Sequence, residues 1–172
     1  FVLDASPWGI GGILYVDIKP TVYFTSALTQ YDVRFHEYNL GDSRGQQNWE
    51  CLAVLVALRL WERVWADRAA IVTFISDICS ALAFALRLKA TGRCIIVARE
   101  VALLYSEAAY EPKCVELLPG LANVGADALS RLWDPSGKFQ LPRELANTSP
   151  TPVPPRVEAF YRALVASHVG DE

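Results

Sequence analysis

Residues 1–28 read FVLDASPWGIGGILYVDIKPTVYFTSAL, three short apolar stretches separated by turn chemistry. FVLDAS is brief and apolar, as a central strand is. PWGIGG supplies a turn, and GILYVDI and TVYFTSAL alternate well enough for two further strands, with Asp17–Pro20 turning one into the other. The run predicts an antiparallel meander. One residue breaks it. Asp4 sits inside the first strand, where acids are depleted and almost never buried unpaired.

Downstream of the meander, residues 29–46 are polar, aromatic and aperiodic, and read as a long surface loop. The period then changes. NWECLAVLVALRLWERVW, residues 48–65, has no breaker and predicts a long, heavily buried helix. IVTFIS (71–76) is β-branched and apolar, a fourth strand. ICSALAFALRLKA (78–90) makes a second helix stopped near Gly92, and CIIVAREVALLYSEAA (94–109) a third. KCVELL (113–118) is a fifth strand, Pro119-Gly120 a turn, and NVGADALSRLW (123–133) a last short helix. The expected fold class is α/β, a five-stranded mixed sheet with its first three strands antiparallel and helices on both faces. That order alone picks no function.

Past Trp133 the composition shifts. SPTPVPP (149–155) holds four prolines in seven residues, the make-up of a stiff extended linker. VEAFYRALV (157–165) has room for a turn or two of amphipathic helix, docking on this domain or leading to the next. The expected division is a domain over 1–133 and a proline-rich linker with a short helix over 134–172.

Length and composition narrow the class. With 172 residues, 52% of them hydrophobic, the chain can bury one good core. Its 19 acidic and 16 basic residues leave a net charge of −3, which is not the basic face of a free-standing nucleic-acid binder. Any grip on nucleic acid must rest on local basic residues, metal ions or a neighbouring domain. Cys51, Cys79, Cys94 and Cys114 are scattered with no CxxC pair, and read as buried thiols in a reducing, intracellular compartment. No apolar run approaches the ~20 residues that span a bilayer, so no membrane partner is expected. The sequence holds no methionine, not even at position 1, and reads as a piece excised from a longer polypeptide.

Four acids stand where structure alone does not ask for one. Glu50 lies in a helix whose residues 49–61 are otherwise apolar apart from Arg59. It is either functional or on a single wet stripe paired with Arg59. Asp77 ends the fourth strand, where an ordinary helix N-cap explains it equally well. Asp127 falls in the first turn of the last helix, where the macrodipole favours acids. Asp4 is the hardest to dismiss. Taken together, three fall at strand ends or helix starts near one edge of the sheet, and the fourth faces it from a helix. Hard cations such as Mg²⁺ take oxygen ligands. A carboxylate cluster holds two of them ~4 Å apart for in-line phosphoryl displacement, one activating water and one stabilising the leaving oxygen.

The same residues resemble a family. DASPWGIGGIL resembles the first block of the ribonuclease H domains of retrotransposon reverse transcriptases, an Asp-Ala-Ser followed by a glycine-rich turn. QQNWECLAVLVALRLW resembles the block carrying the catalytic Glu, and FISDICSALAFAL the block carrying the next Asp. LLPGLANVGADALSRL is similar to the Pro-Gly, Asn and Ala-Asp-Ala-Leu-Ser-Arg motif, the most specific of the four. Order and spacing agree over residues 1–133. The resemblance implies a ribonuclease-H-like fold and cleavage of the RNA strand of RNA–DNA hybrids with two Mg²⁺ ions, or Mn²⁺. It implies Asp4, Glu50, Asp77 and Asp127 as catalytic metal ligands. Asp4 would bridge both ions, with Glu50 and Asp77 on the water-activating side and Asp127 on the other ion. It puts Gln46 and Gln47 against the RNA strand in the minor groove, and Ser6 and the Gly9–Gly12 turn near the hybrid backbone. The implied partner is a polymerase domain of the same polyprotein, in the cytoplasm, an element particle or the nucleus. The chain departs from the family at Leu117, where the motif carries a His credited with proton transfer or product release, and at Ile78, where many relatives carry Asn. These departures imply an intact metal cage with impaired turnover. The alternative is a degenerate module of the same fold that binds hybrid or a partner without efficient cleavage.

Overall fold

The computed structural model describes residues 1–65, 73–76, 90–107, 114–117 and 123–166. Its strands are β1 (Val2–Ala5), β2 (Gly9–Val16), β3 (Lys19–Ala27), β4 (Thr73–Ser76), β5 (Cys114–Leu117) and β6 (Ser149–Pro150). They form one sheet in the order β5-β4-β1-β2-β3-β6. The expected meander is present: β1 pairs antiparallel with β2, and β2 with β3. β4 extends the sheet in parallel from β1, and β5 in parallel from β4. The chain is thus α/β with a mixed sheet, to which the proline-rich segment adds a short sixth strand that the sequence did not announce. Since β2 alone opposes the others, the C-terminal ends of β1, β4 and β5 share one edge of the sheet.

The described helices are α1 (Gln30–His36), α2 (Gln46–Leu60), α3 (Glu62–Trp65), α4 (Cys94–Glu107), α5 (Val124–Arg131) and α6 (Glu158–Ala166). Of the helix expected over 78–90, residues 78–89 lie outside the described residues, as does Asp77 before it. α1 corrects the reading of 29–46 as loop. A capping box starts it: the Thr29 hydroxyl accepts from the Asp32 amide at 3.1 Å, and Asp32 accepts from the Thr29 amide at 2.6 Å. Two satisfied backbone donors outweigh the missing apolar period. α2 is buried without a break from Trp49 to Leu58, so it lies between the sheet and α4 and has no wet stripe.

Strand alternation puts helices on opposite faces. Ile10 and Leu14 of β2 join the large core with Leu52 and Leu55 of α2, Val97 of α4 and Leu164 of α6. Ile13, between them in sequence, joins Tyr23, Leu129 of α5 and Leu145 in a smaller cluster on the other face. Gly11 shares that second face. A Cβ there would lie 2.6 Å from Leu129 Cβ and 2.8 Å from the Ser130 amide nitrogen, so its absence lets α5 press onto the strand.

The segment after Trp133 packs on the domain rather than leading away from it. β6 pairs in parallel with β3. Arg156 is 2% exposed and grips fully buried Asp32 with two nitrogens, at 3.0 Å and 2.9 Å. It also donates to the Ala27 carbonyl at 2.7 Å and to the Ser26 hydroxyl at 2.9 Å. Tyr161 of α6 donates its hydroxyl to Asp32 and stacks on Phe35 at 4.4 Å.

Candidate functional site

The C-terminal end of β1 is where the acids gather. Asp4 and Ala5 point to opposite faces of the sheet, as strand geometry requires. Asp4 is 3% exposed and meets α5, where the Ser130 hydroxyl donates to its Oδ2 at 2.5 Å. The position follows from the register, since Asp4 pairs with Gly11, the residue over which α5 makes its close approach. Glu50 reaches the same strand end from the α2 face. It is 1% exposed, and its Oε1 accepts from the Ala5 amide at 3.0 Å.

Gln46, one turn earlier on α2, donates to Glu50 Oε1 at 3.0 Å and to the Ala5 carbonyl at 2.5 Å. It thereby holds the Glu50 carboxylate against β1. Arg59 pairs instead with Glu100 of α4 and lies over the Phe160 ring, so the reading of Glu50 as one half of an Arg59 pair is ruled out.

Asp127 stands in the first turn of α5, half-exposed, with Arg131 Nε at 2.5 Å from its Oδ1. The Arg131 guanidinium is held more firmly protonated than usual, first by the Asp127 bond and then by the charges of Asp4 and Asp134. Three of the four expected acids therefore sit on elements that converge on the end of β1. Asp77, the fourth, follows Ser76 in the chain and lies outside the described residues. Among the described residues, no three His, Cys, Asp or Glu side chains form a group able to hold an ion.

Ser6 and Gln46 are engaged within the fold. Ser6, expected near the hybrid backbone, is 1% exposed. Its hydroxyl donates to the Ser130 carbonyl at 2.8 Å and accepts from the Trp8 and Gly9 amides at 3.2 and 3.1 Å. It shapes the turn and ties it to α5. Gln46, expected at the RNA strand, is half-buried and engaged with Glu50, whereas its neighbour Gln47 is exposed.

The sequence did not reveal a cleft of about 400 Å³ beside the start of α2, lined by Gln47, Asn48, Arg44, Tyr38, His36 and, from the start of α4, Thr91–Arg93. Arg44 pairs with Asp42 at 2.7 Å and Arg93 with Glu37 at 2.6 Å. Both guanidinium groups are solvent-exposed, so these pairs contribute little and exchange readily for another anion. Two helix starts add partial positive charge. A signal existed, since each arginine lies just before a helix start, but nothing local shows that residues 49 positions apart share a cleft. His36 forms part of its floor at 2% exposure, and burial lowers its pKa to about 4 against the opposing pull of Asp32.

Cys51 and Cys94 are free and buried, and among the described residues no helix is long and apolar enough to cross a membrane. Comparison of the chain with models of protein families, with curated proteins and with solved structures finds no match.

Proposed function

We propose that this chain is a ribonuclease-H-like endonuclease that cleaves the RNA strand of RNA–DNA hybrids during reverse transcription of a retroelement. One observation carries the reading: Asp4 and Glu50, both buried, reach the end of one central strand from its two sides, beside the helix that bears Asp127. Burying two carboxylates together is costly unless a cation or dedicated hydrogen bonds offset it. The antiparallel meander extended by two parallel strands agrees with the same fold.

The donor set fits hard divalent ions, being carboxylate oxygens on separate elements. Asp4, Glu50 and Asp127, together with Asp77, would hold Mg²⁺ or Mn²⁺. Bound there, such ions supply an activated water and charge balance for the leaving oxygen. The protein's own groups do the positioning. Gln46 fixes the Glu50 carboxylate, Ser130 fixes that of Asp4, and Gly11 lets Ser130 come near enough. Arg44 and Arg93 line the cleft beside the start of α2, the helix that carries Glu50, and offer phosphate contacts there, with exposed Gln47 in the same lining. A net charge of −3 leaves most of the affinity to a polymerase domain of the same polyprotein.

The test is cleavage of a strand-labelled hybrid in Mg²⁺ and in Mn²⁺. The expected result is metal-dependent cutting of the RNA strand alone, abolished by Asp4→Asn and by Glu50→Gln. Cutting that survives either substitution overturns the assignment. Hybrid binding with no cutting in either metal favours the second reading, a binding module. Leu117, in the place of the family's loop histidine, is the observation that keeps this reading in play.

A further inference from the structure

Arg131 closes α5 one turn after Asp127, and its Nε lies 2.5 Å from the Asp127 carboxylate. An i,i+4 pair on a helix is common and usually contributes little. This one has a setting that an ordinary surface pair lacks. The guanidinium also lies in the field of Asp4, the buried acid at the end of β1, and of Asp134. It sits 5.5 Å from the centre of the Phe139 ring, and both members of the pair are about two-fifths exposed, open to solvent ions.

We propose that Arg131 is the resident counter-cation of Asp127, a positioning residue that holds this carboxylate when no metal is bound and yields it to a divalent ion. The inference rests on the hybrid-nuclease reading, in which Asp127 is a metal ligand. The exchange is favourable in charge, because a divalent ion brings twice the charge of the group it displaces. It is also cheap in geometry. A guanidinium swung away from Asp127 keeps Asp134 and the Phe139 face as neighbours, so it is not stranded. Arg131 thereby sets the metal concentration at which the site fills and keeps Asp127 from repelling Asp4 in the empty state.

The test is Mn²⁺ binding to the whole chain, followed by calorimetry and by the loss of the free-ion resonance signal. Arg131→Gln should tighten binding about twofold to fivefold, the range in which exposed ion pairs fall. Arg131→Ala should agree with it, and Arg131→Lys should stay near the parent. In an Asp127→Asn background the Arg131→Gln gain should vanish, since there is nothing left to release. Unchanged or weaker Mn²⁺ binding in both neutral variants overturns the proposal, as does a gain that persists without Asp127. Failure of the underlying reading looks different. Mn²⁺ would then bind the parent no better than it binds Asp4→Asn, whatever stands at 131, and the proposal falls with it.

Discussion

The hydroxyl of Ser130 donates to Asp4 across 126 positions of sequence, joining the last helix of the sheet's second face to its central strand. A hydrogen bond to a buried carboxylate contributes about 1.5–3 kcal/mol, and its loss leaves an acceptor without that donor. Ser130→Ala should therefore lower stability by about 2 kcal/mol in metal-free buffer, with part of the loss recovered in Mn²⁺. Urea denaturation with and without the ion checks this. Identical midpoints for parent and variant would remove Ser130 from any role in holding Asp4.

His36 makes stability depend on pH. Its folded pKa is near 4 and its ordinary value 6.5, so between those pH values the unfolded chain binds a proton that the folded chain refuses. Stability is then fully present above pH 6.5 and declines as pH falls toward 4, by on the order of 3 kcal/mol for a shift of this size. His36→Phe keeps a ring against Trp49 but cannot take the proton, and should flatten that part of the profile. Thermal melts from pH 7.5 to 4.5 on both proteins decide it.

The cleft arginines should act through phosphate. Arg44→Ala and Arg93→Ala should each weaken hybrid binding and reduce the log–log salt slope by about 0.9, the value for one lost contact. Equal slopes for parent and double variant would mean that the cleft faces something other than the hybrid backbone.

The buried Arg156–Asp32 pair fixes the tail. Removing one partner strands a charge in the core, which costs about 3–5 kcal/mol, whereas replacing both costs far less. Arg156→Met should fall in that range and Arg156→Met with Asp32→Asn should recover much of it. Two equally unstable variants would show that packing, not charge, is what the tail supplies.

What the sequence disclosed follows from how far apart the interacting residues are. The meander and α2 were legible because alternation and an unbroken apolar run are local signals. So was the oddity of Asp4 and Glu50, acids inside those same runs. α1 was missed because its stability comes from the Thr29–Asp32 capping box and from Arg156 and Tyr161, more than 120 positions away, rather than from an apolar period. The tail was read as linker for the same reason. Proline content says nothing about an arginine that will be buried against a distant aspartate. The burial of Ser6 was not legible, because a Ser in a glycine-rich turn looks alike whether it faces solvent or ties the turn to a distant helix.

The tail clamp also has a mechanical side. Tension entering the chain beyond α6 meets the Arg156–Asp32 grip and the β6–β3 pairing before it reaches β1, which lies on the far side of β2 and β3. In the sheet, two strands stand between β6 and β1, the strand that carries Asp4. A pull at the end of α6 is thus met first by that grip and that pairing.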